Sequence, residues 1–182
     1  MLAKLTFETE GCFSGCANPR AERMVVMPNG NVDIGTSSPQ GILHVAGPSG
    51  NNIIMGFSGN SVTSGVVGAT ISGDSASVTT NRVTNNYGTV GGGSNNQAGA
   101  NAGTTGDRSY ATVGGGESNT AAGDYSFVVG RRAENTDANH DGVFLFADAT
   151  NADFNSAAAN EFAVRANGGF HFVSSSGTCT YE

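Results

Sequence analysis

Asn86-Tyr87-Gly88-Thr89-Val90-Gly91-Gly92-Gly93 returns as Ser109-Tyr110-Ala111-Thr112-Val113-Gly114-Gly115-Gly116, 23 residues further on, with Asn96 falling on Asn119. A period this short signals a chain built from stacked supersecondary units rather than one closed globule. The same step taken upstream carries Val90-Gly91 back to Val67-Gly68. Downstream the step shortens to 16 or 17. Gly106-Asp107-Arg108-Ser109-Tyr110 returns as Gly123-Asp124-Tyr125-Ser126-Phe127, and Val113-Gly114 through Asn119-Thr120 as Val129-Gly130 through Asn135-Thr136. The difference is about the size of Ala100 to Gly106, a small and polar stretch that reads as a loop inserted into a coil.

Such a coil holds two brief strands and two corners, with glycine supplying the positive φ of a sharp reversal. Tyr110 to Val113 and Ser126 to Val129 are too short for helices and are rich in β-branched and aromatic residues, so they read as strands. Alternation places Phe127 and Val129 on one face of the strand, Ser126 and Val128 on the other. Both faces carry apolar groups, so one belongs inside the coil and the other against a neighbour. The expectation is an all-β fold, a parallel β-solenoid over 59–136. It is flanked by strand and hairpin regions at 1–58 and 137–182. Pro28-Asn29-Gly30-Asn31 marks a turn between Met24–Met27 and Val32–Ile34, and Asn167-Gly168-Gly169 one between Phe162–Ala166 and Phe170–Val173.

Composition narrows the function. Among 182 residues, 28 are glycine and only 13% are charged, which leaves a thin core and few helix formers. A single coil buries too little apolar surface to offset the ordering of its small, flexible residues, so self-association is expected. A net charge of −7 excludes a basic nucleic-acid footprint. No run of 18 apolar residues exists to insert in a membrane, and Met1 to Gly11 lacks the basic-then-apolar order of a signal peptide. Cys12, Cys16 and Cys179 have no zinc spacing; bridges between chains and free thiols both stay open.

Asn119-x-Ala121-x-Gly123-x-x-Ser126-x-Val128-x-Gly130 resembles the repeat of YadA-like heads of trimeric autotransporter adhesins. Asn29 to Pro39 with Leu43-His44-Val45 is similar to a stretch of phage tail-fibre proteins, and Phe162 to Gly169 to a piece that follows such heads. The resemblance implies a left-handed roll packed as an intertwined homotrimer. It also implies a structural or adhesive, non-enzymatic role in an extracellular fibre on a bacterial surface or virion tail, with a host-surface glycan or protein as partner. The chain then reads as a central piece of a longer protein. The pair Arg131 and Arg132, followed by Glu134, is expected to form ion pairs at the trimer junction.

Two further readings bear on chemistry. A carbohydrate-binding or carbohydrate-cleaving tail spike would need paired carboxylates, for which Asp124, Asp141, Asp148 and Glu161 are available without any spacing that pairs them. Asp137, Asn139, Asp141 and Asp148 follow the carboxylate spacing of a calcium loop, which would make the roll calcium-stabilised. The flanking strands and the short final acid favour a solvated turn there instead, and no cofactor is expected. The triple glycines read as corners of the roll rather than as an anion cradle, since no Lys-Ser/Thr follows. His44, His140 and His171 are far apart and have no partner at metal or triad spacing.

Overall fold

The computed structural model describes residues 4–9, 21–36, 38–47, 50–73 and 79–172, and the three cysteines lie outside them. Among the described residues every regular element is a strand. The chain divides into two compact units, Met1–Asn51 and Asn52–Glu182. The boundary falls at residue 51 rather than 58, because Ile53 already pairs with Thr70 in the second unit's sheet.

The first unit is a single four-stranded sheet in the order β1 (Leu5–Thr9), β2 (Ala21–Val26), β3 (Val32–Ile34), β4 (Leu43–Val45). Strands β2 and β3 form the hairpin read from Asn29-Gly30, with Gly30 at φ 89° and its N–H donating to the Met27 carbonyl at 2.9 Å. Register then aligns two rows across the sheet, Leu5–Val26–Val32–Leu43 and Phe7–Met24–Ile34–Val45. Pleating puts both rows on one face. All eight residues of the two rows are apolar. Val25 and Asp33, both buried, occupy the opposite face.

The second unit is a parallel β-solenoid of about six turns. Odd-numbered strands make one sheet: β5 (Ile53–Ile54), β7 (Thr70–Ile71), β9 (Thr89–Val90), β11 (Thr112–Glu117), β13 (Phe127–Arg131), β15 (Phe144–Ala147) and β17 (Phe162–Arg165). Even-numbered strands make the other: β6 (Ser61–Val62), β8 (Arg82–Val83), β10 (Gln97–Ala98), β12 (Thr120–Ala121), β14 (Ala133–Asn135) and β16 (Phe154–Asn155). Each coil contributes one strand to each sheet. The ladders run from Ile53 to Arg165, well beyond the expected 59–136. Phe162–Arg165 lies parallel to β15, and among the described residues it forms no hairpin, since 166–172 turn without returning as a strand.

Between the sheets runs a core one side chain wide. Ile71, Val90, Val113, Val128 and Leu145 stack from the odd sheet, Val83, Ala98 and Ala121 from the even, all of them fully buried. Two expectations about register change here. Ile71, not Val67, sits at the level of Val90, and Val67-Gly68 lies at the corner beside Tyr87, whose N–H donates to the Val67 carbonyl. Val113 pairs with Val128, not Val129, and β11 absorbs one extra residue at Gly114 as a bulge. Only that register keeps Ser126 and Val128 inside and turns Phe127 outward, as the pleat requires.

The 23-residue step from Thr89 to Thr112 holds as read, with the inserted stretch looping out between Gly99 and Gly106. Asn85 ties that loop down, donating from Nδ2 to the Thr104 carbonyl at 2.9 Å and to Asp107 Oδ1 at 3.0 Å. A thin core leaves much of the stabilisation to hydrogen bonds, and asparagines organise them. Asn81, Asn96 and Asn119 each donate a backbone N–H to the side-chain Oδ1 of the asparagine one coil earlier, at 2.9–3.0 Å, and Ala133 donates to Asn119 in the same way. The amide of Asn119 also donates to the carbonyls of Gly115 and Gly130. An amide suits this position because it carries donor and acceptor together, so one side chain links three coils inside a dry core.

Candidate interaction surfaces

Corners decide what the outside of the rod displays. Gly68, Tyr87, Tyr110, Tyr125, Gly142 and Asn160 occupy the same corner in successive coils, each with positive φ between 56° and 71°. The sequence predicts glycine at such corners, yet three carry tyrosine. Their rings recover the backbone cost by stacking: centroids of Tyr87 and Tyr110 lie 4.9 Å apart, and those of Tyr110 and Tyr125 5.2 Å. Gly68 ends the column because the Tyr87 ring lies over it, where a Cβ would come within 2.6 Å.

Next to the corner, the outward column of the odd sheet reads Ile53, Thr70, Thr89, Thr112, Phe127, Phe144, Phe162. Phe127, Phe144 and Phe162 stack at 5.5 and 4.8 Å, and Gly114 leaves room for the Phe127 ring. A second outward column brings Val129, Phe146 and Val164 alongside. The face therefore changes from threonine to phenylalanine partway along the rod. No sequence motif flagged this stripe, although the recurrence of phenylalanine at 127, 144 and 162 was there to find.

The even sheet presents the opposite chemistry. Arg82, Gln97, Thr120 and Glu134 form its outward column, and with Asn95 and Ser118 they line a shallow groove of about 160 Å³. The Arg82 guanidinium donates to Gln97 Oε1, and Asn95 Nδ2 to Ser118 Oγ at 3.0 Å. Partial burial, then the adjacent Asp153 carboxylate, raises the pKa of Glu134.

Within the chain, Arg131 and Arg132 each meet a carboxylate other than Glu134. Glu117 and Arg131 are register partners on neighbouring strands, so the coil spacing brings Arg131 Nε to 3.0 Å from Glu117 Oε2. Arg132 pairs with Asp153 on the next coil, beside Glu134. Sequence reasoning missed a more shielded pair, Arg165 Nε and Asp148 Oδ1 at 3.0 Å, which joins the end of β15 to β17. The Asn167 N–H, then Thr150 and Arg165, hold the Asp148 carboxyl down at about 2.

The four candidate calcium ligands, Asp137, Asn139, Asp141 and Asp148, do not converge on one point. Asp137 accepts from the N–H and Nδ2 of Asn139, which lowers its pKa, and Asp141 Oδ1 accepts the Asp124 N–H at 2.9 Å. Asp148 lies beyond β15, a strand spanning about 13 Å, with Arg165 as its partner. No group of three or more His, Cys, Asp or Glu placed to hold a metal exists among the described residues.

The other repeat residues are structural. Asn119, Ala121, Ser126 and Val128 are core, and a Cβ on Gly91, Gly123 or Gly130 would come within 1.9–2.5 Å of a backbone oxygen on the next coil. In the triple glycines, Gly91, Gly93 and Gly116 thus serve close backbone approach between coils, Gly92 and Gly115 take φ of 134° and 136°, and Gly114 faces the Phe127 ring. His140 Nδ1 lies 2.9 Å from Ser156 Oγ, which lies 3.1 Å from Asn135 Oδ1. No family model, curated protein or solved structure matches this chain.

Proposed function

We propose that this chain is a structural and adhesive segment of an extracellular fibre, on a bacterial surface or a virion tail, assembled from three copies. What carries this reading is the first unit. Among the described residues, the four-stranded sheet carries eight apolar residues on one face with no second layer over them. Sheets gain independent stability by burying such a face, and identical chains supply identical faces. The solenoid supports the same reading, since stacked coils make a rigid rod whose outer columns repeat at about 4.8 Å, and several copies on one rod gain avidity for a multivalent surface.

Light scattering over a dilution series tests it. The expected mass is three chains, and Leu43→Ser, which places a hydroxyl in the apolar face, lowers the assembly's stability. A single-chain mass at every concentration overturns the reading.

A second reading, carbohydrate binding, is favoured by the groove on the even sheet, which combines a guanidinium, a carboxylate, amides and hydroxyls. On a glycan array, Arg82→Ala then loses the signal. Release of cleaved sugar by the unmodified protein would instead indicate a spike enzyme.

A further inference from the structure

We infer that Ser156 and His140, with Asp137 behind the imidazole, form a nucleophilic site on the solenoid that takes the acyl group of a carboxylic ester. This activity is independent of the assembly proposed above.

Stacking, not sequence spacing, brings the three residues together. His140 lies between β14 and β15 and Ser156 between β16 and β17, at the same turn of successive coils. Both backbones are pinned. The His140 carbonyl accepts from Asn135 Nδ2 at 2.9 Å, its N–H donates to the Asp137 carbonyl at 3.0 Å, and the Ser156 N–H donates to the Glu134 carbonyl at 3.2 Å. The serine hydroxyl thereby comes to 2.9 Å from His140 Nδ1.

On the far side of the ring, Nε2 lies 3.6 Å from Asp137 Oδ2, while Asp137 Oδ1 accepts from the N–H and Nδ2 of Asn139. That separation is longer than a hydrogen bond, but the carboxylate's charge still attracts a ring N–H and so favours the tautomer with its proton on Nε2. Nδ1 then faces the hydroxyl as an acceptor, which is the arrangement an activated serine requires. Asn135 Oδ1, 3.1 Å from the same hydroxyl, holds its rotamer, and the Asn135 amide is itself fixed by donating from Nδ2 to Ser126 Oγ at 3.0 Å.

The chain also supplies donors for an oxyanion. The N–H groups of Ala157 and Ala158, directly after the serine, converge on one carboxylate oxygen, Glu161 Oε2, at 2.7 and 3.4 Å. That oxygen stands in for the negative oxygen of a tetrahedral intermediate, which takes its place when the Glu161 side chain swings aside. Ser156 is partly exposed and Ala157 to Ala159 are exposed, so a substrate reaches the site from solvent. An ester suits it better than an amide. Its alcohol leaves more readily than an amine, and Asp137, half-exposed and 3.6 Å away, orients the ring only loosely.

In the reaction Ser156 Oγ bonds to the ester's carbonyl carbon as its proton passes to His140 Nδ1. The bond from that carbon to the alcohol oxygen then breaks, and the alcohol departs with the proton. Water attacks the acyl-serine and gives one proton to Nδ1, and the carboxylic acid leaves as Ser156 Oγ recovers it. Ester and water become acid and alcohol.

The test treats the full chain with a fluorophosphonate, which bonds to activated serine hydroxyls, and locates the label by peptide mass spectrometry. It is expected on Ser156 and not on Ser126, which is buried. In His140→Gln, labelling is expected to slow about a hundredfold. The unmodified protein is expected to hydrolyse p-nitrophenyl acetate faster than Ser156→Ala does, and Asp137→Asn to lower kcat with KM unchanged. Circular dichroism checks that the variants keep the solenoid. No label on Ser156, an undiminished rate in His140→Gln, or equal hydrolysis by Ser156→Ala overturns the site, and the first of these needs no variant. An unchanged kcat in Asp137→Asn overturns the part given to that carboxylate. Subunit mass is a separate measurement, so the fibre reading stands or falls apart from these results.

Discussion

The two units solve the burial problem in opposite ways. The solenoid closes on itself, with two sheets facing each other across one row of side chains, and its inner column is solvent-free from Ile71 to Leu145. Among the described residues the N-terminal sheet has one layer, and only Val25 and Asp33 of those whose burial is described are buried in it. A short coil can therefore be complete within a chain, provided that it stacks on its neighbours, while a lone sheet is complete only with another surface. Stacking also lets polar residues substitute for bulk, because Asn119 satisfies groups on the coils before and after its own.

The largest effect expected from breaking this contrast is at the ladder. Asn119→Ala leaves the Ala133 N–H and the Gly115 and Gly130 carbonyls without their side-chain partner, and should cost about 4 kcal/mol or more, read as the loss of the solenoid's thermal transition. Gly130→Ala follows. Its Cβ would meet the Ala147 carbonyl oxygen at 1.9 Å with φ at 112°, and a loss of about 3 kcal/mol is expected in urea unfolding.

Acid gives a smaller and more local test. The Asp148 carboxyl sits at about 2 in the folded chain, so its stabilising contribution is present above the ordinary carboxylate range and disappears as pH falls from about 4 to 2. Asp148→Asn should flatten that part of the melting-temperature profile, with little effect of the same titration on the first unit's hairpin. Smallest is the corner column. Tyr110→Asn keeps a residue that tolerates positive φ and loses two ring stacks, for about 1 kcal/mol, whereas Tyr110→Val should cost more because a β-branched residue resists that conformation.

Much of this was legible in the sequence, and unevenly so. The 23-residue repeat, the inserted loop and the hairpin at Asn29-Gly30 follow from local chemistry, and each is present. Matching dipeptides give the shorter step as 16 or 17, whereas β11 and β13 pair 15 residues apart at Thr112 and Val113 and 14 apart after the bulge at Gly114. A one-residue slip inverts every side chain of a strand, and only the partner strand decides it. Carboxylate spacing suggested a calcium loop between 137 and 148, but spacing along a chain does not reveal that Arg165 lies across from Asp148.

By itself, the sequence determined that this protein is a stack of short parallel strands, since its repeat length and its small residues admit little else. Tertiary structure alone decided which residues line up in columns: Tyr87 with Tyr110 and Tyr125, Phe127 with Phe144 and Phe162, Asn81 with Asn96 and Asn119. The reason is that coils differ in length while hydrogen bonding between them fixes one spacing, so residues become neighbours by coil number rather than by distance along the chain.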